Sequence, residues 1–138
     1  MEDAIQIDPE AEKRLNEETV IWLTTVNPKG QPQTSPVWFV WDGVTFLIYS
    51  MPISPKVPNI RNNPRVSLNL DGDGKGGGIV SIEGDAAIDE RAPLVSEANA
   101  YVDKYVELIR GMNTEVEPFS QLYSTAIRVT PTRSRYYR

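Results

Sequence analysis

The sequence predicts a mainly β protein, an antiparallel barrel of about six strands with peripheral helices, folded as one domain over residues 1–138. Three observations carry this expectation. Short runs of alternating or β-branched apolar residues recur along most of the chain, each bounded by Gly, Pro, Asn or Asp. Helical periodicity is confined to one opening segment and one late one. No internal repeat and no long linker divides the chain.

Taken in order, Asp8-Pro9 before Glu10-Ala11-Glu12-Lys13-Arg14-Leu15 reads as an N-cap with Pro at the first helical position. Val20–Val26 is a strand with apolar residues on both faces, so something must pack on each side of it. Asn27-Pro28-Lys29-Gly30 is a turn. Gln33–Trp41 reads as one strand interrupted at Pro36, which marks an edge or a bulge. Asp42-Gly43 is a hairpin signal leading into strand Val44–Ser50. A loop with Ser54 and a brief helical turn with Lys56 follow, and the turn must end at Asn63-Pro64, because Pro disfavours helix at the residue before it. Strand Arg65–Leu70, a Gly-rich loop Asp71–Gly78 and strand Ile79–Ile88 come next.

Leu94, Ala98, Tyr101, Val102, Tyr105, Leu108, Ile109 and Met112 recur at helical spacing and predict an amphipathic helix over 90–111, with Gly111 as its C-cap. Tyr101 and Tyr105 fall on its apolar stripe and read as core. Residues 113–121 read as irregular, Tyr123–Val129 as a last strand, and Thr130–Arg138 as an extended tail. The Gly-rich loop matches neither an EF-hand, since Lys75 and Ile82 stand where ligands belong, nor a dinucleotide fingerprint, since a strand follows it.

Composition removes several function classes. The net charge of −5 argues against nucleic acid, which needs a basic stripe. No apolar run reaches the roughly 18 residues of a membrane span, and the acidic leading segment lacks the order of a signal peptide. With no Cys, disulfides are excluded and a cytoplasmic location is the expectation. With neither His nor Cys, a Ser-His-Asp or Cys-His nucleophile, the usual zinc sites and haem ligation through a proximal His are excluded. Enzymatic chemistry in such a chain belongs to a cofactor. A Ser/Lys pair where a strand feeds a helix start, as at Ser54 and Lys56, suits an anion, because helix-start N–H groups and a mobile ammonium both favour negative charge.

Tyr49-Ser50, Ser54, Lys56 and Asn62-Asn63-Pro64-Arg65-Val66-Ser67-Leu68 resemble the phosphate-binding segment of the pyridoxamine-phosphate-oxidase-like split-barrel flavoproteins. Thr24-Thr25, Pro28-Lys29-Gly30-Gln31-Pro32, Pro36-Val37-Trp38-Phe39 and Asp42-Gly43 fit the same family upstream. The chain looks most like its small flavin/deazaflavin oxidoreductase branch. The resemblance implies a split-barrel homodimer with a cofactor groove at the interface and hydride transfer to a small organic substrate. It implies phosphate contacts from Ser50, Ser54, Lys56, Asn59 and Arg61, and a ring site along Gln33, Ser35, Pro36, Val37 and Trp38. Tyr136, in the stretch Arg128–Arg138 that carries four of the 14 basic residues, joins the expected cofactor contacts.

The family's flavin-phosphate pattern commonly has Arg immediately before that Lys, where this chain has Pro55. With that cation missing, the deazaflavin coenzyme F420 is the first expectation for the cofactor and FMN the second. The chain also lacks the extended C-terminal region and the substrate-holding His of true pyridoxamine phosphate oxidases, so that activity is not expected. A non-catalytic flavin- or deazaflavin-binding protein is the rival reading, and a barrel with no cofactor is the third. No residue in the sequence selects the substrate.

Overall fold

The computed structural model describes residues 5–138; the first four residues of the acidic leading segment lie outside it. Its elements are α1 (Pro9–Glu17), β1 (Ile21–Val26), β2 (Pro32–Val37), β3 (Val40–Trp41), β4 (Phe46–Ser50), α2 (Lys56–Asn62), β5 (Arg65–Asn69), β6 (Ile79–Ile88), a 3-10 turn (Val95–Glu97), α3 (Asn99–Gly111), α4 (Val116–Leu122) and β7 (Thr125–Tyr137). The Asp8 carboxylate accepts the Glu10 N–H at 2.9 Å and Pro9 opens α1, as a capped helix start requires.

The seven strands form one antiparallel sheet in the order β2-β1-β5-β6-β7-β4-β3. Its two edge strands, β2 and β3, are neighbours in the chain with only Trp38 and Phe39 between them. A sheet whose opposite edges lie two residues apart must curl until they meet, and this one forms a split barrel. The inward residues of β1, β4, β5, β6 and β7, among them Ile21, Leu23, Phe46, Ile48, Leu68, Ile82 and Ile127, fill it together with Ala11 and Leu15 of α1. A smaller apolar cluster of Tyr49, Val95, Tyr101, Tyr105, Ile109 and Phe119 packs α3 and α4 on the outside of β4.

β6 and β7 pair along their length with one register shift at Glu83/Gly84, where Pro131 faces Gly84. Pro131 cannot donate to a ladder, and the bulge is where it is tolerated. A Cβ on Gly84 would meet the Thr130 carbonyl oxygen at 2.8 Å, so a glycine permits the close approach there.

Several expectations change. Gln33–Trp41 is not one strand: the chain turns at Trp38-Phe39 and supplies both sheet edges, which raises the strand count to seven. The helix expected from residue 90 begins only at Asn99, because Pro93 and the 3-10 turn precede it. Gly111 ends that helix from within; Met112 is the C-cap and Asn113 takes the left-handed conformation at φ 60°. Residues expected to be irregular contain α4, which buries Phe119 and Ser120. The tail is not a separate extension but the second half of β7. Strand β1 buries Ile21, Leu23 and Thr25 and leaves Trp22, Thr24 and Val26 half-buried, so its second face is only partly covered within the protomer. Tyr101 and Tyr105 are core, as expected.

Candidate functional site

The sequence-predicted residues converge on a two-armed cleft between edge strand β2, the end of β4 and helix α2. One arm, about 340 Å³, is lined by Trp38, Tyr49, Tyr101, Phe119 and Tyr123, with Met51 and Met112 at its walls. The other, about 200 Å³, is lined by the hydroxyl and amide residues Thr25, Gln33, Thr34, Ser35 and Asn59. Ser54 and Lys56 border both arms and therefore sit where they meet.

Lys56 is the charge at this junction. Its ammonium donates to Ser54 Oγ at 2.8 Å and makes no ion pair among the described residues. Burial holds its pKa below the ordinary lysine value, because a charge taken from water without a counter-charge is disfavoured. An ammonium has three N–H donors, so two remain for a ligand. Asn59, 4% exposed, is fixed by two bonds from its amide nitrogen, to Thr25 Oγ1 at 3.0 Å and to Gln33 Oε1 at 2.9 Å. It ties α2 to β1 and β2 and sets the width of the hydroxyl-lined arm.

The start of α2 is not the anion site that its sequence position suggests. Pro55 and Pro58 have no N–H, and the Val57 N–H is bonded to the Ser54 carbonyl at 3.0 Å. Of the first-turn donors only the Lys56 N–H is left, so negative charge in this cleft depends on side chains, namely Lys56 and the hydroxyls of Thr34, Ser35 and Ser54.

The aromatic arm is built from the second apolar cluster. Trp38 stacks on Tyr105 with centroids 4.7 Å apart at 5°, and on Phe119 at 5.6 Å. Its backbone neighbour is clamped: the Phe39 N–H donates to the Tyr105 hydroxyl oxygen at 2.8 Å, and Lys104 Nζ donates to the Phe39 carbonyl at 2.9 Å while lying 3.9 Å over the Phe39 ring. Helix α3 thus grips the joint between the two sheet edges and fixes the plane of Trp38. Phe39 is fully buried in the barrel, whereas Trp38 lines the cleft.

Pro36, Val37, Ser50 and Met51 complete the aromatic arm beside β2. Ser50 is buried and donates to the Met51 carbonyl at 2.9 Å. Strand β2 pairs only with β1, so half of its peptide groups face away from the sheet, on the cleft side.

Two expected contacts are not brought to the cleft. Arg61 is exposed and borders a separate depression with Asp89 and Glu90, because a residue near the end of a two-turn helix points away from its start. Tyr136 lies on β7 opposite Val80, packs against the barrel core and donates to Glu10 Oε2 at 3.3 Å. The sequence pointed to no cleft role for Tyr101, which reads as core, nor for Met112, Phe119 and Tyr123, all of which reach the cleft through the fold; only the aromatic content of the region after Glu115 hinted at the last two.

The family model described as pyridoxamine 5'-phosphate oxidase matches residues 7–138. This chain belongs to the pyridoxamine 5'-phosphate oxidase family. Comparison of this family member with curated proteins found no match. Among solved structures it is similar to an F420 reductase, with a TM-score of 0.70 at 23% identity over 94% of this chain and 98% of the other. It is similar to a conserved hypothetical protein from Mycobacterium tuberculosis, with a TM-score of 0.70 at 28% identity over 98% and 86%. It is also similar to HutZ, the heme storage protein from Vibrio cholerae, with a TM-score of 0.67 at 18% identity over 96% of each chain. The pyridoxamine 5'-phosphate oxidase family is one of flavin-binding split barrels, and the curled seven-stranded sheet of this member is that fold. No helix among the described residues is long and apolar enough to cross a membrane.

Proposed function

We propose that this chain binds a phosphate-bearing flavin or deazaflavin in the two-armed cleft and acts as an oxidoreductase on a small organic substrate. The observation that carries this reading is Lys56, a half-buried ammonium without a carboxylate partner among the described residues, set where a hydroxyl-lined arm meets an aromatic one. An anionic group with a flat ring attached needs this division, a cation and hydroxyls at one end and stacking surface at the other.

Such a cofactor, when bound, supplies hydride chemistry. The chain's own residues bind and orient it. Lys56, Ser54, Ser35 and Thr34 meet the anion, and Asn59 holds Gln33 in place beside it. The outward peptide groups around Pro36 and Val37 meet the polar edge of the ring, and Trp38 closes the wall. Their task is to hold the reacting atoms about 3–3.5 Å apart and to keep water out.

Coenzyme F420 is the first choice of cofactor and FMN the second. Pro55 leaves Lys56 as the one cation lining the cleft among the described residues, fewer than a flavin phosphate in this family is expected to meet. A second copy of the chain is proposed to close the open side along β2, and the partly covered face of β1 supports this. Light scattering at micromolar concentration tests it, and a monomer refutes it.

Absorbance titration of the protein with each cofactor separately tests the main reading, because FMN and the deazaflavin have distinct spectra. Tight FMN binding with no deazaflavin response makes FMN the cofactor, and no response to either removes the proposal. A non-catalytic binding protein is the second reading. It is favoured by one observation, that neither arm is lined by a carboxylate among the described residues. Turnover with reduced cofactor and a panel of acceptors separates the two.

A further inference from the structure

A second cavity, of about 360 Å³, opens between α1, β3 and α3. Leu15, Val40, Trp41 and Ala100 give it an apolar wall, and Asp103 and Lys104 are its charged residues. It is separate from the cleft beside β2. Residues 36–38 line that cleft, residues 40 and 41 line this cavity, and the buried Phe39 lies between them. Lys104 Nζ donates to the Phe39 carbonyl at 2.9 Å and lies 3.9 Å over the Phe39 ring, and it makes no ion pair among the described residues. Arg could perform both of these tasks, since its guanidinium is more weakly hydrated and stacks on aromatic faces. What lysine offers instead is an amine that can give up its proton. Burial lowers the Lys104 pKa to about 8, against the pull of Glu18 in the other direction. At neutral pH about a tenth of the molecules then carry a free amine, against fewer than about one in a thousand at an exposed lysine.

We infer that Lys104 is a covalent amine site, which forms an imine with an uncharged aldehyde seated in the cavity between α1, β3 and α3. Charge decides the class of partner. Glu18 acts on Lys104, Asp103 lines the cavity, and Glu12 accepts the indole N–H of Trp41 at 3.0 Å. Three carboxylates around one amine repel acyl phosphates and phosphorylated aldehydes. Lys56 differs in this respect, since no carboxylate lines either arm of the cleft among the described residues, and it suits an anion where Lys104 does not. The wall of Leu15, Val40, Trp41 and Ala100 takes an apolar body, with the indole as a stacking surface for a flat one.

The step is an addition followed by loss of water. The nitrogen lone pair of the free amine attacks the aldehyde carbon, the carbonyl π pair moves onto oxygen, and a proton passes from nitrogen to that oxygen. The carbinolamine then loses its hydroxyl and the second nitrogen proton as water, while the nitrogen lone pair closes the C=N bond. One C=O bond is exchanged for one C=N bond and one water, with no change of oxidation level and no co-reactant. Desolvation of a lysine in an apolar setting is what makes such an amine nucleophilic near neutral pH. No cofactor takes part, and the reaction is reversible by hydrolysis.

The test treats the chain, without cofactor and at neutral pH, with benzaldehyde and sodium cyanoborohydride, which reduces each imine to a stable secondary amine. Peptide mass mapping then finds the labelled lysine, and the α-amino group is read apart on its own peptide. Lys104 should be labelled at least about tenfold faster than each of Lys13, Lys29, Lys56 and Lys75 in the folded chain, and no faster than they are in guanidinium chloride. An anionic probe of similar size, 4-carboxybenzaldehyde, should label Lys104 about tenfold more slowly than benzaldehyde does. Ala100→Phe keeps the amine and fills the cavity from an exposed position, and should slow benzaldehyde at Lys104 by a similar factor. Labelling led by another lysine, equal rates at all the lysines, or an anionic aldehyde that matches the neutral one at Lys104 overturns the inference. An Ala100→Phe chain labelled at the parent rate overturns it as well. The two wild-type comparisons decide alone when that variant does not fold.

Discussion

Replacing Lys56 with Met separates what this side chain does for a ligand from what it does for the fold. The methionine keeps most of the length and apolar volume of the lysine and deletes the ammonium. In the free protein that ammonium has one neutral partner, Ser54 Oγ at 2.8 Å, and burial already works against its charge. Losing it should leave the stability of the ligand-free protein unchanged or raise it slightly, by at most about 1 kcal/mol. A bound phosphate is a different case. A charge-assisted hydrogen bond contributes about 1.5–3 kcal/mol, so cofactor affinity should fall by roughly ten- to a hundredfold.

The pH dependence supplies a second reading of the same group. Burial sets the Lys56 pKa below the ordinary value in the free protein, and a bound anion raises it again. Binding above the free-protein pKa therefore takes up a proton, and affinity should decline as pH rises through that value toward the ordinary lysine range. This alkaline limb should be missing in Lys56→Met. Isothermal calorimetry from neutral to alkaline pH, with a thermal melt of each ligand-free protein, measures both quantities. A variant that binds cofactor as tightly as the parent, with the same alkaline limb, would refute the assignment of Lys56 to the anion.

Three further perturbations test the framework around the cleft. Lys104 has its pKa lowered to about 8 by burial, against an ordinary 10.5, so the unfolded chain holds more protons between those values and stability should rise with pH across that window. Because the group is half-exposed the gain should be only about 1 kcal/mol, and chemical denaturation should show it lost in Lys104→Met. Asn59→Ala removes the bonds to Thr25 and Gln33 and should cost about 2 kcal/mol in denaturation, together with weaker cofactor binding as Gln33 is released. Gly84→Ala drives a methyl against the Thr130 carbonyl and Val129 Cγ1 at 2.8 and 2.9 Å and should lower stability by about 1–3 kcal/mol in the same assay.

What was legible in the sequence was local. Alternation marked β4 and β5, an apolar run marked β1, Asp8-Pro9 marked the start of α1, and Asn63-Pro64 marked the end of α2. The Ser54/Lys56 pair, Asn59 and the β2 residues were placed at one site by the family resemblance, not by their spacing. Sheet order was not legible, because nothing in the residues 32–41 says that Trp38 and Phe39 carry the chain from one edge to the other. Helix α4 was hidden by its length: seven residues with Pro118 in the first turn leave no room for a repeating apolar pattern. Arg61 and Tyr136 are not brought to this cleft for a directional reason. Their positions in sequence were near the motif or the tail, but the helix phase of one and the strand pairing of the other turn them elsewhere. Tyr101 was legible as core and not as a cleft residue, since periodicity reports which face a ring is on and is silent about which cavity it borders.

The sheet order has a consequence for how the molecule assembles. Strands β3 and β4 touch the rest of the sheet only through β7, the last strand in the chain. During synthesis β1, β2, β5 and β6 can pair as soon as they emerge, while the β3–β4 hairpin waits with one side unpaired until β7 slots between it and β6. Closure is therefore a late, long-range event, of the kind that slows folding and exposes strand edges to neighbouring chains. Because β2 and β4 border the cleft from opposite sides of that seam, ligand affinity appears only once the final strand is in place, and any agent that delays β7 leaves a half-built, aggregation-prone sheet rather than a weakened binding protein.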